Sequence, residues 1–179
     1  LIYKIHARQI LDSRGNPTLE VDINLSDDSF GRAAVPSGAS TGLYEAKTLK
    51  ATKAISKVNK VINKELIGKS VNQRVIDGFM LKLDGTHNKS KLGANSVLSV
   101  SLAFARAAAK ANDEELYEYI ARISNTRRLT LPIPFFNILN GGRHAKNKLK
   151  IQEFMLGVQK IAACDKHLLF SKKKDLCLL

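Results

Sequence analysis

The sequence is poor in the residues and runs that mark several classes of protein. Its 179 residues include two cysteines, Cys164 and Cys177, whose spacing matches no zinc-binding or redox motif. We therefore expect reduced thiols, as in a cytosolic protein. No segment approaches the ~20 consecutive apolar residues that a membrane-spanning helix needs. Because charged residues near the N-terminus interrupt the apolar run of a signal peptide, we expect a cytoplasmic protein with no membrane partner.

Acidic residues are also scarce. The chain has 16 Asp and Glu against 29 Lys and Arg, which gives a net charge of +13. Residues 143–179 carry nine basic and three acidic residues, so this stretch contributes six of those charges. Such an excess favours non-specific binding to polyanions. No RNP-like aromatic motif, helix-turn-helix pattern or zinc-finger spacing accompanies it, so we expect a solvated lysine-rich surface and no specific nucleic-acid partner.

The first part of the chain has the period-two pattern of β-strands. Residues 18–25 alternate between apolar and polar side chains, which predicts a half-buried strand. Its apolar members are Leu19, Val21, Ile23 and Leu25. Turn-forming residues at 13–17 and 26–29 separate this strand from two further candidates, at residues 2–11 and 30–35. The pattern predicts a three-stranded antiparallel meander.

From residue 51 the apolar spacing becomes helical. Residues 51–66 and 75–83 predict two amphipathic helices separated by Gly68. The alanine-rich residues 94–110 predict a central helix covered on nearly every side, and a shorter helix is expected around residues 116–123. Polar residues 124–128 form a candidate linker before two extended apolar segments, at 131–139 and 149–156. The predicted class is α+β.

Four motifs occur along the chain in a fixed order. They are DSRGNP at residues 12–17, SGASTG at 37–42, DGTHNKSKLGAN at 84–95, and NGGRHA at 140–145 followed by QEFM at 152–155. In this order they resemble the enolase family over residues 1–156. The resemblance implies an enolase-like N-terminal domain at 1–125, the first strands of a truncated (β/α)8-type barrel at 126–157, and a divergent basic tail at 158–179. A complete barrel of this kind needs ~250 residues.

The resemblance also implies an activity. Enolases are phosphopyruvate hydratases, lyases of glycolysis that reversibly dehydrate 2-phosphoglycerate to phosphoenolpyruvate with Mg²⁺ as cofactor, and they form homodimers. Ser40 matches the serine that ligates the second Mg²⁺ when its loop closes over the substrate. Oxygen donors suit this hard cation, although one serine cannot hold it alone. Arg8 and Glu20 match positions that pair across the family's dimer; without a full-length partner we expect them to be ordinary surface charges.

Three further residues match catalytic or substrate-binding positions. His144 matches a histidine on a second mobile loop that closes toward the substrate phosphate, where an imidazole can change charge near neutral pH. Glu153 matches a glutamate near the leaving hydroxyl, where a carboxyl group can pass on a proton, and Gln152 matches its polar neighbour in the pocket. Taken alone, His144 is more often an ordinary loop residue, and the other two are polar side chains of an alternating strand. The intact QEFM motif favours the family roles.

Some family features are missing. Arg143 and Lys146 flank His144 where enolases usually have a serine and a glycine, and a short charged segment between residues 50 and 51 is absent. Residues 160–179 contain no counterpart of the family's base lysine, proton-donating glutamate or acidic ligands of the first Mg²⁺. We therefore expect the 179-residue chain alone to be inactive. The alternative function is a catalytically inactive truncated enolase-like fragment that acts as an interaction or polyanion-binding module.

Overall fold

The computed structural model describes residues 1–36, 38, 42–69, 72–142 and 145–157. Ser40, His144 and the predicted tail at 158–179 lie outside these residues. The chain divides into two units, Leu1–Arg127 and Arg128–Leu179. None of the helices in the described ranges combines the length and apolar character that crossing a bilayer requires.

The first unit begins with the predicted meander. Strands β1 (Ile2–Leu11), β2 (Pro17–Leu25) and β3 (Phe30–Ala34) form one antiparallel sheet in the order β1-β2-β3. The alternation predicted for β2 is confirmed from Leu19 to Leu25, where the apolar side chains are buried and the polar side chains are partly exposed. One face of the sheet therefore contributes to the core.

A helical stretch follows the sheet. It consists of α1 (Ala51–Lys57), a π-helical turn (Val58–Ile62) and α2 (Asn63–Leu66). Its buried side chains recur every four residues, at Ala54, Val58, Ile62 and Leu66. A spacing of four drifts around an α-helix of 3.6 residues per turn, and the wider π turn counters that drift. The pattern predicted the helix and its buried face but not the π turn.

Asn59, within the π turn, attaches this helical stretch to the free edge of β1. Its Oδ1 accepts a hydrogen bond of 2.8 Å from the Ala7 backbone N–H, and its Nδ2 donates one of 2.9 Å to the Ala7 carbonyl. Farther along the same edge, the Ile2 carbonyl accepts from the Gly68 N–H at 2.9 Å. The edge of β1 is thus bonded to the middle of the helical stretch, at Asn59, and to Gly68 and Lys69, which follow its end.

Three more helices complete the first unit: α3 (Gln73–Asp84), α4 (Ala94–Ala111) and α5 (Leu116–Ile123). Helix α4 is central, as predicted, because it contacts β2, β3, α1, α3 and α5. The prediction that it is covered on nearly every side is wrong, since Leu98 and Leu102 are 47% and 41% exposed. Small side chains allow close packing on its other side.

The second unit contains two described strands, β4 (Phe135–Asn140) and β5 (Glu153–Gly157), which pair antiparallel. The extended segment predicted at 149–156 forms a strand only from Glu153 onward. Before that point the carbonyls of Leu149 and Gln152 accept hydrogen bonds from Gly142 and Gly141. The Gly141–Gln152 bond follows the register in which Asn140 pairs with Glu153, whereas the Gly142–Leu149 bond departs from it.

The first unit carries an ion-pair cluster on its sheet. Arg8 on β1 bonds to Glu20 at 2.5 Å and to Asp22 at 2.7 Å, both on β2. Arg32 on β3 also reaches Asp22 at 2.7 Å. The hydrogen bonds from Arg32 and then Arg8 lower the pKa of Asp22, although burial opposes this shift. Arg8 and Glu20 are therefore paired within the chain and are more than isolated surface charges.

We predict that Gly31→Ala destabilises the first unit. A Cβ at Gly31 would lie 2.1 Å from the Ala103 carbonyl oxygen and 2.4 Å from the Ala107 nitrogen, both backbone atoms of α4. Overpacking of this kind costs about 1–3 kcal/mol. Gly78→Ala is the matched control, because a Cβ there meets nothing within 4 Å and alanine favours a helix by up to about 1 kcal/mol. The midpoint of urea unfolding should fall for Gly31→Ala and rise for Gly78→Ala. Equal midpoints would contradict the close packing of β3 against α4.

A second prediction concerns Asp22→Asn. Above the unfolded-state pKa of about 3.9, the ionised Asp22 stabilises the fold through its arginines, so the variant should lose on the order of 1 kcal/mol at pH 7. Because the folded-state pKa is lowered, this advantage is lost as pH falls below about 4. Urea unfolding between pH 7 and pH values below about 4 measures the difference in unfolding free energy between wild type and variant. Asp113→Asn, at an exposed position, is the control. A difference between wild type and variant that does not depend on pH would refute the assignment.

Candidate functional site

Two glycines bring the predicted site motifs of the second unit together. The Gly141 N–H donates to the Gln152 carbonyl at 2.9 Å, and the Gly142 N–H donates to the Leu149 carbonyl at 2.8 Å. A Cβ at Gly141 would lie 2.3 Å from the Ile151 carbonyl oxygen, and Gly142 has a φ of +56°. Only glycine fits both requirements easily. The segment that leads to His144 therefore runs beside the segment that contains Gln152 and Glu153.

Glu153 opens β5 and pairs with Asn140, the last residue of β4. Its side chain is half-buried, whereas that of Gln152 is exposed. These two predicted site residues are thus adjacent to the Gly141–Gly142 turn. His144 lies outside the described residues, so its predicted place in the same site is not tested.

Asn147 is a residue of this loop that the sequence analysis missed. Its Nδ2 donates to the Asn140 carbonyl at 2.8 Å, and its Oδ1 accepts from the Leu149 N–H at 3.0 Å. An asparagine side chain carries the same donor and acceptor groups as a peptide bond, so it can close a loop that lacks regular pairing. The signal available in the sequence was its position between Gly141–Gly142 and the strand at 153–157, where an asparagine can hold an irregular loop.

In the first unit, hydrogen bonds of described residues hold the segments before and after the SGASTG motif. Before it, the Thr18 hydroxyl donates to the Val35 carbonyl at 2.7 Å. After it, the Lys47 N–H donates to the Asn88 carbonyl at 2.8 Å. Ser40 itself lies outside the described residues, and its predicted role as a metal ligand is not tested.

The motif at 84–95 anchors the segment that follows SGASTG. Asn95 Oδ1 accepts from the Leu49 N–H at 3.1 Å, and its Nδ2 donates to the Leu49 carbonyl at 2.9 Å. Asp84 shapes the loop from within, accepting from the backbone N–H groups of Thr86 and Leu92. Burial acts to raise the pKa of Asp84, but these bonds and that of the Thr86 hydroxyl lower it on balance. The carboxylate is therefore structural.

The DSRGNP motif forms the turn between β1 and β2. Asp12 Oδ1 accepts from the backbone N–H groups of Arg14 at 2.9 Å and Asn16 at 2.8 Å, and Gly15 has a φ of +78°. An open cleft of about 260 Å³ lies between this turn and residues 34–36 at the end of β3. The cleft thus lies beside the DSRGNP turn and the segment that precedes SGASTG.

Metal ligands are not concentrated in the described part of the chain. No group of three His, Cys, Asp or Glu side chains there is close enough to hold a metal ion. The described residues consequently do not fit a Mg²⁺ site by themselves.

Comparisons with known proteins agree with this architecture. The family model described as "Enolase, N-terminal domain" matches residues 2–120, and "Enolase, C-terminal TIM barrel domain" matches residues 128–168. The second match continues past residue 156, where the resemblance by motifs ends. The chain thus comprises the N-terminal domain and the start of the barrel domain, which confirms the predicted α+β fold.

Curated relatives support the same assignment. The chain is 55% identical over 166 residues to an enolase of Methanothrix thermoacetophila and 49% identical over 172 residues to one of Solanum lycopersicum. It is 48% identical over 167 residues to enolase 1 of Entamoeba histolytica. Each match covers 87% of this chain but only 38–39% of the relative, so the chain spans about two fifths of their length. On these matches and this fold, the chain belongs to the enolase family.

Proposed function

We propose that this chain contributes to the reversible dehydration of 2-phosphoglycerate to phosphoenolpyruvate, the reaction of a phosphopyruvate hydratase in glycolysis. The observation that carries the proposal is the hydrogen bond from the Gly141 N–H to the Gln152 carbonyl, 2.9 Å long. It puts the segment leading to His144 beside Glu153. An acid and a phosphate-binding group for one small substrate need this kind of proximity.

Each proposed site residue has a distinct role. The reaction removes a proton next to the substrate carboxylate and expels hydroxide from the neighbouring carbon. Glu153 would give its proton to that hydroxide, so that water leaves. His144 would donate a hydrogen bond to the substrate phosphate, and Gln152 would bind the substrate beside Glu153.

Mg²⁺ is the proposed cofactor, with Ser40 as one ligand. A serine oxygen is a suitable donor for this ion, but Mg²⁺ is bound in proteins chiefly through carboxylates, water and substrate oxygens. The described residues provide no cluster of that kind. The roles proposed for Glu153 and Gln152 do not depend on the ion.

The remaining proposals concern organisation. We propose domains at residues 1–125 and 126–157, which is supported by the division of the chain after Arg127. Cytoplasmic localisation is proposed from the cysteine content and the family. A homodimer is proposed from the family alone; in it, Arg8 and Glu20 would have to exchange their present partners within the chain.

The activity can be tested with a chimera of residues 1–157 and the remaining barrel of the Methanothrix thermoacetophila enolase. We expect it to form phosphoenolpyruvate from 2-phosphoglycerate in the presence of Mg²⁺. Glu153→Ala should lower kcat by ~10²–10⁴ because it removes a general acid, and His144→Ala should raise KM. Asp113→Asn is the control, because Asp113 is exposed and lies in the first unit, away in sequence from His144 and Glu153. A folded but inactive chimera, or unchanged kcat in Glu153→Ala, would overturn the proposal.

The same assay on the 179-residue chain alone should detect no turnover. Its sequence supplies no counterpart of the family's base, and loss of a general base costs ~10²–10⁴ in rate. Loss of one electrostatic stabiliser costs a further ~10²–10³. Turnover that disappears in a Ser40→Ala, His144→Ala, Glu153→Ala triple variant would show that this chain assembles a site of its own.

The backbone contact that positions Glu153 has its own test in the chimera. Gly141→Ala should lower kcat by at least tenfold, because its Cβ must displace the Ile151 carbonyl and misplacement of about 1 Å can cost ~10² in rate. Gly78→Ala, which has open space around its new Cβ, should leave kcat unchanged. If both variants kept full activity, the Gly141 contact would not be needed to position the site.

A further inference from the structure

A row of lysines follows the helical stretch formed by α1, the π turn and α2. Lys50, Lys53, Lys57, Lys60 and Lys64 recur at intervals of three or four residues, which puts side chains on one side of a helix. We name these five residues the lysine face. Four of them are exposed and Lys57 is half-buried. At 1.5 Å per residue, the row is about 21 Å long.

The lysine face is held on a fixed support. The other side of the same helical stretch is fully buried at Ala54, Val58, Ile62 and Leu66. The two hydrogen bonds between Asn59 and Ala7 attach it to β1. Four of the charges are therefore presented on a preformed helix and the fifth, Lys50, on its N-cap residue, so a ligand would not have to order the backbone when it binds.

The charges of the lysine face are not compensated within the described residues. None of its lysines takes part in the ion pairs found there, which involve arginines on β1, β3, α5 and the first turn. Between residues 51 and 66 the sequence has one acidic residue, Glu65. Five like charges within about 21 Å create a local positive potential that attracts an anionic partner.

We propose that the lysine face binds the phosphate backbone of a nucleic-acid strand, without preference for base sequence. A linear row of cations suits a linear polyanion, and binding that neutralises phosphates is driven by the release of counterions. Lysine is a point charge that contacts phosphate without reading bases. This inference concerns the first unit and is independent of the proposed catalytic function.

Two other anionic partners fit less well. A helix that lies on a membrane inserts its apolar side into the lipid, but here that side is buried in the core. An acidic protein partner would normally bury aromatic or large apolar anchors at the centre of the interface. Between residues 50 and 64, the described surface exposes no large apolar side chain. Nucleic acid requires neither feature.

The test compares two triple variants of the 179-residue chain. Lys53→Gln, Lys60→Gln, Lys64→Gln removes three exposed charges from the lysine face, and glutamine retains a helix propensity similar to that of lysine. Lys4→Gln, Lys82→Gln, Lys110→Gln removes three exposed charges elsewhere in the first unit. Both variants have the same net charge. Circular dichroism and thermal unfolding would verify that both fold as the wild type does.

Fluorescence anisotropy with labelled oligouridylate and oligoadenylate measures the effect between 50 and 200 mM salt. The lysine-face variant should bind both strands about tenfold more weakly at the lower salt. The slope of log binding constant against log salt concentration should be less steep by about 2, because each of the three lost phosphate contacts contributes ~0.7. The control variant should change affinity no more than about twofold. Equal losses in the two variants would overturn the proposal.

A membrane partner is distinguished by co-sedimentation with vesicles that contain phosphatidylserine. If the lysine-face variant lost vesicle binding while its affinity for both strands stayed at the control value, the nucleic-acid assignment would be wrong. A strong preference for one of the two oligonucleotides would also contradict it, since a phosphate-only site cannot distinguish bases.

Discussion

The close approach of β3 to helix α4 is the contact on which the first unit depends. At Gly31 the sheet comes so near to the helix backbone that a single methyl group would overlap the Ala103 carbonyl. The small side chains of Ala103 and Ala107 let β3 approach the helix backbone at this point, and the buried Phe104 fills the neighbouring core. Because α4 also contacts α3 and the loop at 84–95 joins these two helices, a shift at Gly31 would be transmitted to that loop. Fold and loop geometry are therefore coupled.

Asparagine side chains repeatedly take the place of regular backbone pairing in this chain. Asn59 bonds to Ala7, Asn95 to Leu49, and Asn147 to the segments on either side of it. Each carboxamide offers one acceptor and two donors in nearly the geometry of a peptide group. This allows an irregular segment to be held in place without a strand or helix. In two cases the segment adjoins a motif assigned to the site.

The strength of local signals decided how far the sequence could predict the structure. Alternation in residues 18–25 and the helical spacing of 75–83 gave the right elements, because in both cases one face is buried and the other is more exposed. The π turn was missed, although the four-residue spacing of Ala54, Val58, Ile62 and Leu66 was a signal for it. The late start of β5 was also missed: the pairing departs from the β4–β5 register at Gly142, whose N–H donates to the Leu149 carbonyl. In the second unit, Gln152 and Glu153 lie beside the Gly141–Gly142 turn. The site roles of these two residues, of Ser40 and of His144 stay predictions.

The bonds along the outer edge of β1 have a consequence for self-association. An open strand edge is a template on which the strand of another molecule can pair, and natural proteins commonly cover or interrupt such edges. Here Asn59 occupies both hydrogen-bonding groups of Ala7, and Gly68 and Lys69 occupy those of Ile2. A second molecule would therefore have to displace the helical stretch before it could extend the sheet from β1. The helix that presents the lysine face thus also keeps the sheet from propagating into an aggregate.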